Sequence, residues 1–429
     1  MTVTTRVIKG MAALAGLLSV AMPHAAFADP SGELVILNWL GGSELATMQK
    51  IEAGFMAKYP AVKIRELPVT SASSDPTGAI RTMIVGGEKI DLMMSAWPSI
   101  RREFIQDGLL RPLDDAWTKG NWSADLSDAW KKVGQEDGAT YGITYTYGDR
   151  TGIWYRPDVL AKAGISSPPK TWDEFLASFK KLKAAGITPL EIPAKVWAQQ
   201  EIFQSILSRV GGSDAVDKLG KHQIAWTDPV VKTALQKYVE LLKSDCCGSV
   251  NTMLATEWDQ SADNVLKAGT SAYLNLGMWV NNRAIEEYKL KEGVDYSLFQ
   301  WPAMGMGHDQ ATQVDAKEYF GFKNGPNPEA ADAFLGYLIS PEACNIIAAS
   351  GFPSTCTNVD TSVYGPVTKT STEAESAPGA EVSLVVGDQF PGDVSDEYHL
   401  QLQKLIQDPS DATIDSATNA IEAKAKDAY

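Results

Sequence analysis

Four tryptophans stand where predicted strands give way to loops: Trp39 and Trp97 early in the chain, Trp197 and Trp279 near its middle. An indole presents a flat apolar face and one N–H donor, which suits a ring-shaped ligand with C–H faces and polar edges. Polar and charged side chains accompany these rings. Gly42, Ser43 and Glu44 follow Trp39, Ser95 precedes Trp97, and Gln199 follows Trp197. Asp149 and Arg150 lie between the two pairs, Gly277 precedes Trp279, and Lys317 falls in a later extended run. Charged groups hydrogen-bond hydroxyls strongly, and a guanidinium also matches a planar anion. Two readings of these residues stay open: aromatic loops facing a ligand, or tryptophans in a core with Asp149 and Arg150 satisfying each other.

Catalytic signatures are missing from the sequence. It contains no GxSxG, no HExxH and no phosphate-cradling glycine loop. No carboxylate pair can be nominated at glycosidase separation. Past the first 28 residues the histidines are His222, His308 and His399, scattered and without ligand spacing. Binding without turnover is therefore expected, with no metal and no cofactor.

The elements that would carry these residues alternate. Gly32–Asn38 reads as a strand and Glu44–Tyr59 as a helix with apolar residues on one face. Val62–Pro68 is a second strand, followed by the polar turn SASSDPTG. A short helix, Ala79–Val85, and a third strand, Ile90–Met94, complete a βαβαβ unit, which implies a parallel sheet covered by helices. Ligands bind at the carboxyl ends of such strands, where Trp39 and Trp97 fall. A second alternating unit begins at Thr171, whose spacing to Glu174 makes a capping box. It continues through a strand at Ile187–Ile192 and a helix that Gly211-Gly212-Ser213 ends. The strand in TSAYLNLGMWVN (270–281) then delivers Trp279 past its end.

The amino terminus reads as a leader. Arg6 and Lys9 precede the apolar run 11–22, and Ala26-Phe27-Ala28 offers a small-x-small cleavage pattern, so residues 1–28 are expected to be removed on export. That run is too short to span a bilayer. Cleavage leaves 36 basic side chains (38 less Arg6 and Lys9) against 53 acidic ones, a net charge of −17, which disfavours nucleic acid and anionic membranes as partners. Cys344 and Cys356 suit a short-loop disulfide in an exported protein. Cys246 and Cys247 could bridge each other or pair elsewhere, and spacing alone does not fix the pairing.

Several stretches together resemble the carbohydrate-binding proteins of ABC importers, the extracellular solute-binding family that includes maltodextrin-binding proteins. They are GELVILNW with FMAKYPAVKI, IDLMMSAW with QDGLLRPLDD, YGITYTYGDRTGIWYRPDVLAKAGI with PPKTWDEF, WTDP, and GTSAYLNLGMW, spread over residues 33–350. The resemblance implies an α/β fold of two lobes, each a mostly parallel sheet flanked by helices, joined by crossing hinge strands. The lobes are expected at 29–147 plus 272–318 and at 148–271 plus 319–429. It implies a sugar or oligosaccharide, acidic sugars included, bound in the interlobe cleft and handed to a membrane permease by a periplasmic protein acting as a monomer. Its ligand contacts map here to Trp39, Gly42, Ser43 and Glu44; Ser95 and Trp97; Asp149 and Arg150; the loop around Trp197; and Trp279 after Gly277. Lys317 stands where the chain departs from the family's Gly-rich sequence before the last crossing, and it and Gln199 are further candidates for the cleft. The sequence departs from the maltodextrin pattern at Trp97-Pro98 and at Gly41-Gly42-Ser43-Glu44, where charged pairs are replaced, so maltodextrin itself is not the expected ligand. A receptor for a polyamine or other small polar solute shares the architecture, and a secreted glycoside-active enzyme is the remoter alternative.

Overall fold

The computed structural model describes residues 29–69 and 76–429. The leader expected at 1–28 and residues 71–75 of the expected polar turn lie outside the described residues. Strand β1 (Gly32–Asn38) pairs in parallel with β2 (Val62–Pro68) and with β3 (Leu92–Ser95). The apolar run of β1 is buried from Leu34 onward, as a parallel strand covered on both faces requires. A small hairpin of β4 (Gln135–Glu136) and β5 (Ala139–Thr140) leads to β6 (Gly142–Asp149).

The chain then leaves this sheet. β7 (Ile153–Tyr155), β8 (Thr188–Glu191), β9 (Ser271–Asn275) and β10 (Ser297–Phe299) form a second sheet in the order β10-β7-β9-β8. β11 (Ala311–Gly321) returns to the first sheet, antiparallel to both β3 and β6, and β12 (Glu381–Leu384) pairs in parallel with its beginning. Three segments therefore cross between the lobes: Asp149 to Ile153 and Phe299 to Ala311 connect the sheets, and the chain beyond β12 enters the core around the second sheet. The fold is two-lobed α/β.

Helices cover both faces of the first sheet. Leu34, Ile36, Met94 and Tyr319 pack with Ile51 and Phe55 of the Gly42–Lys58 helix, while Leu37, Met93 and Phe320 face Ile100 and Phe104 of the Pro98–Gln106 helix. The second lobe gathers Phe175, Phe203, Tyr238, Tyr273 and Trp301 around its own sheet. The Trp172–Ala184 helix opens with the capping box expected at Thr171 and Glu174.

Sheet membership departs from the expected lobe boundaries. β9, expected in the first lobe, pairs with β7 and β8 in the second sheet. β11 does not change lobes at residue 318: Glu318 faces Ser95 and Gly321 faces Leu92, so the strand stays zipped to β3 to its end. Phe334, Leu335 and Ile347 of the following helices then fill the first lobe's core. The expected stop at Gly211-Gly212-Ser213 is present: Gln200–Gly220 is two helices that meet at Gly212, whose non-helical backbone, with φ of 69°, is open to glycine at little cost.

Both cysteine pairs are bridged, Cys246 to Cys247 and Cys344 to Cys356. The second staples the first turn of the Pro341–Ala349 helix to the segment beside β6, with a sequence separation of 12. Replacing Cys344 and Cys356 together by alanine is expected to cost about 3 kcal/mol, by loss of loop-closure restraint in the unfolded chain. The midpoint of urea unfolding checks this, and an unchanged midpoint would contradict it.

Candidate functional site

Trp39 and Trp97 lie just past the carboxyl ends of β1 and β3, with ring centroids 4.8 Å apart and planes inclined at 40°. Both are half-buried, and the Trp39 indole N–H has no partner. Ser95 has a different role from the one expected: it is fully buried, and its Oγ accepts the Trp97 backbone N–H at 3.0 Å. It shapes the loop that carries Trp97.

Gly42, Ser43 and Glu44 form the first turn of the Gly42–Lys58 helix. Gly41 stands at the cap position and offers no side chain, so the helix's free N–H groups need another acceptor. Glu287 supplies it from the second lobe, accepting from the Ser43 N–H at 3.3 Å. A Cβ on Gly42 would stand 2.8 Å from the same carboxylate. Glu44 pairs with Lys317 of β11, whose ammonium also lies 4.7 Å from the Phe352 ring. Leu40, Glu44, Tyr145, Thr146, Lys317 and Phe352 enclose a cavity of about 20 Å³, room for one water or one hydroxyl.

At the lobe junction Asp149 and Arg150 do not pair with each other. Asp149 accepts from the Thr151 N–H and hydroxyl, each at 2.7 Å, and from Gln300 at 2.7 Å. Arg150 is gripped in a fork by Glu201, through Nε at 2.7 Å and Nη2 at 2.5 Å. Its Nη1 lies 3.4 Å from Asp388 and 3.5 Å from Asp315. Burial alone would lower the arginine's proton affinity, but these carboxylates outweigh it and hold the guanidinium charged. Burial also raises Glu201, and it pushes Asp388 up to about 7 against the opposing pull of Arg150.

The guanidinium of Arg150 stands 4.8 Å from the centre of the Trp279 ring and 5.8 Å from that of Trp197. Trp197 and Trp279 are 5.9 Å apart, and Trp258 meets Trp279 edge-on at 6.2 Å. Gly277 makes this packing possible by clearance: an added Cβ would fall 2.0 Å from the Trp279 ring and 2.6 Å from Arg150 Cδ. Gln199 is wholly buried and donates to the carbonyls of Val196 and His399, leaving its Oε1 unpartnered.

The Trp279–Glu286 helix reaches the first lobe at further points. Asn281 donates to the Gly351 carbonyl and Asn282 to that of Ser350, each at 2.9 Å and buried. Glu286 lies 3.7 Å from Lys50.

The structure thus gathers Trp197, Gly277 and Trp279 around Arg150 at the junction. It sets Trp39 beside Trp97 at the first lobe's strand ends and joins Glu44 to Lys317. It withdraws Ser95 and Asp149 into internal hydrogen bonds. Glu201, Asp315, Asp388 and Trp258 were not singled out by the sequence. Only Trp258 carried a readable signal, as one more indole in a predicted loop; the acids become partners of Arg150 through the fold alone. A larger groove of about 530 Å³, between Tyr147, Ser354, Tyr364 and Lys369, is lined by the first lobe only and is not an interlobe site. Among the described residues no group of three His, Cys, Asp or Glu could hold a metal ion, and no helix is long and apolar enough to cross a membrane.

Residues 41–343 match the family described as bacterial extracellular solute-binding protein. An uncharacterized ABC transporter extracellular-binding protein of Pyrococcus horikoshii is 26% identical over 375 residues, covering 83% of this chain and 80% of that protein. An alpha-glucosides-binding periplasmic protein of Rhizobium meliloti is 24% identical, over 65% of this chain and 63% of its own length. The solved structure of a bacterial solute receptor with exclusive preference for β-D-galactopyranose superposes with a TM-score of 0.80 at 19% identity. It covers 92% of this chain and 99% of that one.

The raised Asp388 sets a pH response with a defined sign. The folded state keeps this proton up to about pH 7, whereas the unfolded chain releases it near 3.8, so this group's contribution to stability falls as pH rises between those values. Asp388→Asn is expected to gain stability relative to the parent as pH goes from 5 to 7.5. Unfolding free energies measured for both proteins check this. The comparison cancels the opposing response of His399, which burial lowers to about 4, and the parallel response of Glu52, which burial and Glu66 raise to about 9. A constant difference across this range would contradict the assignment.

Proposed function

Because the chain belongs to the bacterial extracellular solute-binding protein family, we propose that it is the receptor of an ABC importer that captures a saccharide between its lobes and delivers it to the membrane permease. One observation carries the choice of ligand. Each lobe carries a pair of indoles, Trp39 beside Trp97 past the strand ends of the first and Trp197 beside Trp279 at the junction in the second. A pyranose ring has two C–H faces to offer such surfaces and hydroxyls to offer Glu44, Lys317 and the unpartnered Trp39 N–H. Relatives named for alpha-glucosides and for galactopyranose support the same class.

In this reading the first lobe comprises residues 29–149 and 311–384, and the second 153–299 and 385–429. Saccharide docks on one lobe and gains contacts from the other, so binding stabilises the closed arrangement. The protein works as a monomer in the periplasm after losing the leader at 1–28, and it turns nothing over.

Thermal unfolding across neutral mono- and oligosaccharides identifies the ligand, because a solute that binds only the folded chain raises the midpoint. With that ligand, Trp279→Ala is expected to weaken binding at least tenfold, about 1.4 kcal/mol. Calorimetric titration checks it, and unchanged affinity in a folded variant would remove Trp279 from the site. Small-angle scattering should record a more compact particle with ligand than without; an identical profile would contradict capture by closure.

A further inference from the structure

The charges at the junction are unequal. Its cations are all engaged: Arg150 by Glu201, Asp388 and Asp315; Lys317 by Glu44; Arg283, stacked 5.4 Å from Trp258, by Asp263 and Glu287; and the buried Arg209 by the carbonyls of Trp301 and Ala311. Asp149 adds a further buried carboxylate, held by neutral donors. Arg150, Glu201, Asp315 and Asp149 are all at most 5% exposed, so water screens them little. Two buried guanidiniums, Arg150 and Arg209, cannot neutralise the four acids Asp149, Glu201, Asp315 and Asp388. A carboxylate on an incoming ring would meet no free cation and would have to displace an existing partner of Arg150. That would strand a buried charge, whose desolvation is costly.

We infer that the interlobe site discriminates by charge, accepting neutral saccharides and rejecting their carboxylate forms. This rests on the receptor reading above and narrows its substrate class. It removes the acidic sugar that Arg150 suggested from sequence alone, because the arginine is occupied by the protein's own acids. The selective element is the carboxylate set Glu201, Asp315 and Asp388, acting through an arginine that would otherwise attract anions.

The test titrates the full-length mature protein at pH 7.5 with neutral sugars, glucose and galactose among them, and with glucuronate, galacturonate, glucosamine and galactosamine. The expected result is that a neutral sugar binds at least tenfold more tightly than its uronate, with the amino sugar within tenfold of the neutral form or tighter. A uronate that binds as well as its parent overturns the inference and leaves the receptor reading standing. Failure of every saccharide, neutral or charged, overturns the receptor reading and the inference with it. Glu201→Gln and Asp388→Asn serve as separate variants, so that loss of folding in one leaves the other to report. In a folded variant the discrimination should shrink at least threefold; discrimination of undiminished size in both would show that these acids are not its source.

Discussion

Residues from or beside all three connections between the lobes meet at the guanidinium of Arg150. The residue lies in the first connection between the sheets, Asp315 in the strand that returns, and Asp388 just beyond the third crossing. Glu201 projects from the first turn of a second-lobe helix. A buried guanidinium is tolerable only where carboxylates and hydrogen bonds replace its water, and the fork to Glu201 meets that demand with good geometry. The cost of losing any partner keeps the three connections in register. The same constraint holds the Arg150 side chain against Trp279 and Trp197, so the aromatic part of the site and the linkage of the lobes share one anchor.

Much of this was legible in the sequence wherever the information is local. The βαβαβ alternation placed Trp39 and Trp97 at strand ends, and the spacing of Thr171 to Glu174 located a helix start. The Gly-x-Trp motif was readable too, although its reason was not. It is the absence of a Cβ on Gly277 that lets the Trp279 ring and the Arg150 chain close over it. Ser95 and Asp149 were legible as positions but not as roles. Ser95 is spent two residues away, on Trp97, and Asp149 on Thr151 and the distant Gln300.

What could not be read is long-range. Arg150 meets Asp388 across 238 residues and Glu201 across 51, and neither pairing leaves a pattern in the sequence. The lobe boundaries failed for a related reason. β9 is largely apolar and β11 is a mixed run, ATQVDAKEYFG, and only their pairing partners say which sheet each joins. A period-2 or continuous apolar pattern specifies a strand without specifying its neighbour.

The Trp279–Glu286 helix holds a further consequence. It begins with the indole set against Arg150, and within two turns it has bonded the first lobe through Asn281 and Asn282, with Glu287 capping the opposing helix just past its end. For a receptor that works by closing, these bonds must break before the aromatic surface can withdraw. The residence time of a captured solute is then set partly by amide and carboxylate contacts that the solute never touches. Two solutes of equal affinity could be released to a permease at different speeds if they leave this rod differently strained, and the rate of unloading becomes a property of the protein as much as of the cargo.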